Sequence, residues 1–454
     1  MLFTTWPFAV FLPVVLVLFY AFPPRWRRYV LLAASLLFYM AWRAVYVVII
    51  LGLIVIDYVA ARVIAAQKTG SRRKVALIVS LAANLGLLGW FKYVNFVRGW
   101  FHLSPLAIIL PLGISFHTFQ SISYVVDVYR GEQQVVTSFF DYALFVSFFP
   151  QLVAGPIVRA REFFKDLWDW RPPTSSEWIL GVETILLGLA KKLIVADQFA
   201  SIADRYFARP AAMPGFAPAW SATAAFALQI FFDFSGFTDI AIGAALLFGF
   251  HFPPNFRRPY FAASITEFWR RWHMTLSRWL RDYLYIPLGG NRRGPVRTYG
   301  HLILTMLLGG LWHGASWNFV IWGGYHGVLL AAERVARVED RFASAVLRPA
   351  RALPTFALVC IGWVWFRAAT FTDASFVLGQ MFSRSSGQFL WSAWQLRLAL
   401  FVFALGLAEE YGGVFTRLAQ APAWVRGAVA VLALLAIEIF TASDTAIPFV
   451  YFQF

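Results

Sequence analysis

Leu307-Leu-Gly-Gly-Leu-Trp-His-Gly-Ala-Ser-Trp-Asn-Phe-Val-Ile-Trp-Gly-Gly-Tyr-His-Gly327 holds no aspartate, glutamate, lysine or arginine. About 20 apolar residues in a row is the length of helix that crosses a bilayer. His313 has only Gly, Ala, Leu and Trp around it until Ser316 and Asn318. An ionisable side chain at such depth is expensive, which makes His313 a functional candidate; a histidine satisfied within the core is the alternative. Gly310 and Gly314 stand four apart and allow a backbone or a substrate to approach it closely. His326 follows thirteen residues later. On one straight helix it would lie about 20 Å away and on another face. His313 is therefore the preferred site residue, with His326 a helix-end or gating residue.

The rest of the chain has the same character. Of its 454 residues 60% are hydrophobic and 14% charged, against roughly 45–50% and 25% in soluble domains. The mean hydropathy of +0.65 agrees. A water-soluble globular enzyme is excluded, and so is a signal peptide followed by a soluble domain, because apolar runs recur to the C-terminus. The net charge of +16 suits cytoplasmic loops facing anionic lipid. No segment offers the basic soluble surface that nucleic acid needs. The only cysteine, Cys360, lies in an apolar run. That excludes structural disulfides within the chain and cysteine-ligated metal clusters, and disfavours a thiol nucleophile.

Apolar stretches fall near 6–22, 29–41, 45–61, 75–91, 105–126, 137–153, 178–195, 220–250, 299–330, 352–371, 396–411 and 427–442. These predict an all-α polytopic membrane protein with a single integral domain over 1–454. Arg25, Arg27 and Arg28, then Arg62, Lys68, Arg72, Arg73 and Lys74, predict that 29–61 enters and returns as a hairpin turning near Trp42-Arg43. The positive-inside rule then places the N-terminus outside. Arg417 and Arg426 before the last run, with Asp444 after it, place the C-terminal tail outside as well. Residues 200–219 and 372–390, rich in Ala, Pro, Ser and Gly, are the expected loops.

Upstream of the opening stretch, 264–283 reads as one basic, Trp-rich amphipathic helix for the membrane interface. Phe268, Trp269, Trp272, Leu276, Trp279, Leu280 and Tyr283 form its apolar face, and His273 sits at the boundary. The bland alternative is an interfacial anchor with a solvated histidine. The loop Tyr285-Ile-Pro-Leu-Gly-Gly-Asn-Arg-Arg-Gly-Pro295 offers flexible backbone beside Arg292 and Arg293. It is either a phosphate cradle or an ordinary cytoplasmic turn. Asp233 and Asp239 interrupt 220–250, where pairing of each with an arginine or a hydroxyl that orders the bundle is the simpler reading; His117 and Gln120 rank no higher than core polar residues. Neither a metal-ligand spacing nor a Ser-His-Asp order stands out, nor a P-loop or a dinucleotide fingerprint. Histidines in an aromatic, glycine-rich setting beside a basic interface suit transfer of an acyl group from an activated carrier to a hydroxyl.

At Phe268-Trp-Arg-Arg-Trp-His273 and Leu311-Trp-His313-Gly the sequence resembles the membrane-bound O-acyltransferase superfamily, and most of all its branch in bacterial alginate O-acetylation. Phe148-Phe-Pro-Gln-Leu-Val-Ala-Gly-Pro-Ile-Val-Arg159, Asp233-Phe-Ser-Gly-Phe-Thr-Asp239 and Tyr285-Ile-Pro-Leu-Gly-Gly290 extend the likeness from near residue 110 to the C-terminus. The resemblance implies a ring of roughly 11–12 transmembrane or re-entrant helices around a tunnel, a count that fits spans of this length. It implies acetyl-CoA as cytosolic donor, no metal, and residence in the bacterial cytoplasmic (inner) membrane. It puts the near-invariant catalytic histidine on His313 and the second polar position on His273, and gives Arg292, Arg293 and Arg278 a motive as partners for coenzyme A phosphates.

The chain ends Phe449-Val-Tyr-Phe-Gln-Phe454. This F-x-Y-x-x-F pattern, within the expected extracytoplasmic tail 443–454, is similar to the C-terminal motif of the peptide that partners the teichoic-acid D-alanyltransferase. By that analogy Tyr451 carries the acetyl group to an extracytoplasmic partner of the SGNH-hydrolase type, which O-acetylates an exopolysaccharide such as alginate. An aromatic anchor in the headgroup belt is the plainer reading of the same tail. Two competing readings differ in chemistry: a transporter or flippase of a lipid-linked sugar or acyl group would cleave no thioester, and a relative with another acceptor (peptidoglycan, teichoic acid, protein) would keep the fold.

Overall fold

The computed structural model describes residues 1–336 and 348–441. Its regular elements are helices, as expected. They pack as two compact units, one of residues 1–185 with 237–253, the other of 186–236 with 254–454.

The first unit opens with α1 (Trp6–Ala21) and α2 (Pro24–Met40), where a proline at the first helical turn restarts the chain after Phe22-Pro23. The predicted turn near Trp42-Arg43 is present: α2 ends at Met40 and α3 (Tyr46–Ala65) begins four residues past Trp42. Next come α4 (Ser71–Leu88), α5 (Ile114–Arg130) and α6 (Phe139–Ser147). Gly113 caps α5 at φ +66°, and a Cβ there would lie 2.0 Å from the Leu152 carbonyl oxygen. Only glycine fits both the left-handed backbone and that approach. Phenylalanine dominates this core, as in the edge-to-face pairs Phe11–Phe149 and Phe19–Phe248, each with centroids 5.2 Å apart.

The 32-residue helix α7 (Phe216–Leu247) contributes to both units. The second unit continues with α8 (Ile265–Arg271), α9 (Met274–Leu280), α10 (Pro295–His313) and α11 (Trp317–Ala336). Then follow α12 (Arg348–Arg367), α13 (Phe371–Met381), α14 (Ala393–Gly412) and α15 (Ala423–Phe440). Among the described residues, five helical segments are long and apolar enough to cross a membrane: Tyr46–Ala65, Ser71–Trp100, Phe216–Leu247, Arg348–Arg367 and Ala423–Phe440. The chain is a multi-pass membrane protein.

Three expectations need correction. Residues 264–283 are not one helix: α8 ends at Arg271, and His273 takes a left-handed backbone at φ +40° before α9. The two expected loops are helical over much of their length. Asp197–Ala208 buries Phe199, Ile202, Ala203, Tyr206 and Phe207, and α13 buries Ala374, Val377 and Met381. That spacing of three and four marks an amphipathic helix, a signal that small-residue composition hides. Finally, the helix bearing His313 stops there, so His313 and His326 do not share a straight helix.

Candidate active site

The site is built on the α10–α11 hairpin. Glycines bring the two helices together: a Cβ on Gly310 would lie 2.2 Å from the Phe319 carbonyl oxygen, and one on Gly323 2.2 Å from that of Met306. A Cβ on Gly314 would enter the Phe319 ring at 2.1 Å. The close approach expected at Gly310 and Gly314 is thus made by the returning helix. Asn318 secures the turn, its Nδ2 donating to the Ala368 carbonyl at 2.9 Å.

His313 is the last residue of α10 and is buried. Its ring stands edge-to-face against Trp312 at 4.9 Å, Trp322 at 5.1 Å and Phe366 at 5.1 Å. An imidazolium formed here meets the negative end of a helix dipole, which favours a positive charge.

His273 reaches the same cluster from the break between α8 and α9, its ring 6.2 Å from Trp312 and 4.7 Å from Phe234. Asn255 organises the break. Its carbonyl accepts from the Met274 amide at 2.9 Å, and its Oδ1 accepts from the Thr275 amide at 3.2 Å and the Thr275 hydroxyl at 3.0 Å. An atom that accepts from a backbone N–H is an acceptor, so the 3.1 Å contact to His273 Nδ1 is donated by the imidazole. Asn255 thereby assigns His273 its tautomer and leaves the Nε2 lone pair for accepting.

His326 joins the cluster too. It is fully buried in the middle of α11 and not at a helix end, and its ring is 5.1 Å from Trp322 and 5.3 Å from Trp269. Trp322 therefore touches both His313 and His326, and Trp312 touches both His313 and His273. The chain reversal between Gly314 and Ser316 makes this possible.

The basic residues lie elsewhere in this unit. Arg292 and Arg293 are exposed on the loop that precedes α10, and Arg278 is half-buried on α9. His313 closes the opposite end of the 19-residue α10, about 27 Å away along the helix axis at 1.5 Å per residue. Gly289 and Gly290 adopt φ +123° and +52°, and the Gly290 carbonyl contacts His301 Nδ1 at 3.1 Å. Tyr451 lies outside the described residues. Among those described, no group of three His, Cys, Asp or Glu could hold a metal ion.

Sequence reasoning missed Asn255, which sits among prolines as an ordinary turn residue would. It also missed the scaffold under α8. Glu333 of α11 accepts from the Ile265 and Thr266 amides at 2.6 and 2.9 Å, and Ser264 caps the helix through the Glu267 amide. Glu410 of α14 pairs with Arg271 and Arg258 at 3.0 and 2.6 Å. Asp233 is paired, but with a lysine and not with the arginine or hydroxyl expected: the Lys192 ammonium lies 2.8 Å from both Asp233 and Asp197.

The described residues thus form a helical membrane protein with histidines buried among tryptophans. The chain belongs to the membrane-bound O-acyltransferase family, which matches residues 130–375. It is 45% identical to a Pseudomonas aeruginosa protein described as "Probable alginate O-acetylase AlgI", over 84% of this chain and 74% of that one. A peptidoglycan O-acetyltransferase of Helicobacter pylori is 39% identical over 80% and 75%. The teichoic acid D-alanyltransferase of Bacillus subtilis is more distant, at 31% over 50% and 60%.

Proposed function

We propose that this O-acyltransferase takes acetyl from cytosolic acetyl-CoA and passes it across the bacterial inner membrane for O-acetylation of an exopolysaccharide such as alginate. The observation that carries this reading is the placement of His313 at a helix end, inside an aromatic cluster that also holds His273. A neutral imidazole there accepts the proton of the acceptor hydroxyl while that oxygen bonds to the acetyl carbon. The C–S electron pair leaves with the coenzyme A sulfur, which takes up a proton and departs as thiol. His273, held by Asn255 with Nε2 as acceptor, orients the hydroxyl or shares its proton. Arg292, Arg293 and Arg278 pair with the phosphates of the donor, whose long arm suits a basic loop set a helix length from His313. Tyr451 is the acceptor that carries acetyl outward, to an extracytoplasmic partner of the SGNH-hydrolase type. The names of the alginate and peptidoglycan relatives support acetyl as the group and a glycan hydroxyl as its destination.

The test supplies purified protein with isotope-labelled acetyl-CoA and follows label and free coenzyme A. Wild type becomes labelled at Tyr451; His313→Ala loses about 10²–10⁴ in rate, the range for a general base; Tyr451→Phe takes up no label. Full acetylation by Tyr451→Phe overturns the tyrosine carrier. No consumption of acetyl-CoA by wild type, with or without the partner, overturns the enzyme reading in favour of transport.

A further inference from the structure

Asp57 lies near the middle of α3, a helix long and apolar enough to span the membrane, and it is fully buried. Ser80 and Asn84 of α4 and Ser121 of α5 surround it and are fully buried as well. The Ser80 hydroxyl donates to Asp57 Oδ1 at 2.6 Å, and Asn84 Nδ2 donates to Oδ1 at 2.9 Å and Oδ2 at 3.0 Å. Ser121 is a further neutral side-chain neighbour of the carboxylate. It is in turn 3.5 Å from the Tyr142 hydroxyl. All of these donors are neutral.

Two deficits remain. Asp57 forms no ion pair among the described residues. Arg62, farther along α3, is exposed and lies over the Tyr58 ring. The titratable neighbours, Tyr124 and Tyr142, are phenols; the Tyr124 hydroxyl is occupied by the Val136 amide. A carboxylate in a bilayer span ordinarily pairs with a cation, because hydrocarbon does not solvate it. The second deficit is an oxygen: Asn84 Oδ1 is buried and has no donor among the described residues. Buried acceptors are satisfied in the great majority of cases.

A proton on Asp57 would remove the charge but not the second deficit. To reach Asn84 Oδ1 the amide would have to turn over, and its NH2 would then replace the oxygen as the group without a partner. A cation bound by Asp57 and Asn84 Oδ1 removes both deficits at once. The ligands available are oxygens only, which hard cations prefer, and a single carboxylate balances a monovalent ion while leaving a divalent one with excess charge. The close spacing of the cluster favours a small ion. We propose that Asp57, Ser80, Asn84 and Ser121 form a binding site for one sodium ion, which ties α3, α4 and α5 together inside the membrane.

The test uses the full-length protein in detergent, unfolded by heat in sodium chloride and in choline chloride at equal ionic strength. Sodium raises the unfolding temperature of wild type with a saturable dependence, as a ligand of the folded state must. Asp57→Asn, uncharged and of equal size, loses that increment, and Ser80→Ala shifts its midpoint upward by roughly tenfold, the effect of one lost oxygen ligand. Radiolabelled sodium binds one ion per wild-type chain. The site is overturned if sodium and choline give wild type the same unfolding temperature, or if Asp57→Asn keeps the increment. A wild type indifferent to sodium with an equally stable Asp57→Asn identifies a neutral acid instead. Should Asp57→Asn fail to fold, Ser80→Ala and Asn84→Ala decide: an unchanged sodium midpoint in both overturns the site. None of these readings depends on acyl transfer.

Discussion

In the proposed reaction Asn255 acts only through the histidine it holds. Asn255→Ala removes the acceptor for His273 Nδ1 and leaves the ring free to exchange tautomers. The expected outcome is a fall in kcat of about tenfold or more with the KM for the acetyl donor little changed, a loss within the range of general acid–base effects. A pH–rate profile checks it: if His273 shares the proton as proposed, the variant moves a limb of the profile, and a purely structural effect does not. His326 invites the opposite substitution. Neither of its ring nitrogens has a partner among the described residues, so packing alone would favour a hydrocarbon ring. His326→Phe keeps the shape and is expected to raise thermal stability while slowing transfer, read by unfolding temperature and acetylation rate together. His313, His273 and His326 were visible in the sequence because histidine is scarce in apolar runs. That His326 shares an indole with His313 was not, since it requires the reversal after Gly314.

At the scale of elements, the α10–α11 hairpin is a glycine interface. Gly323→Ala places a Cβ 2.2 Å from the Met306 carbonyl oxygen, and the helices must separate; the expected cost is about 1–3 kcal/mol. Gly300 in the same hairpin has open space around its Cβ position. Gly300→Ala is expected to be neutral or to stabilise by about 0.4–1 kcal/mol. Comparing the two unfolding temperatures separates packing from helix propensity. The sequence marked Gly310 and Gly314 as places of close approach but did not identify what approaches them. Composition mistook Asp197–Ala208 and Phe371–Met381 for loops, although their apolar residues recur at helical spacing.

At the scale of the whole molecule, charge is handled by pairing distant parts of the chain. Lys192 lies between Asp197 and Asp233, with all three side chains buried. Lys192→Met strands two carboxylates and is expected to destabilise the fold by about 3–5 kcal/mol. The triple variant Lys192→Met, Asp197→Asn, Asp233→Asn is expected to recover most of that loss, and unfolding temperatures of the two variants check the pair. The same logic runs through Glu410, which holds Arg258 and Arg271 from segments roughly 140–150 residues earlier. Asp57 is the exception among these acids, balanced by no basic side chain among the described residues, and for that reason it stands out once the helices are assembled.

By itself the sequence determined the solvent and marked the residues that could carry chemistry. Long apolar runs demand a bilayer and helices, because hydrocarbon satisfies no backbone hydrogen bond. Histidines within them announce function, because their burial is costly without a purpose or a partner. What only the tertiary structure decided is company. The left-handed turn that aims His273, the asparagine that sets its tautomer, the tryptophans shared among three histidines and the hydroxyl and amide groups gathered around Asp57 are contacts between residues far apart in the chain. Local propensity and periodicity carry no record of such contacts, since they describe each segment's own faces and not what is packed against them.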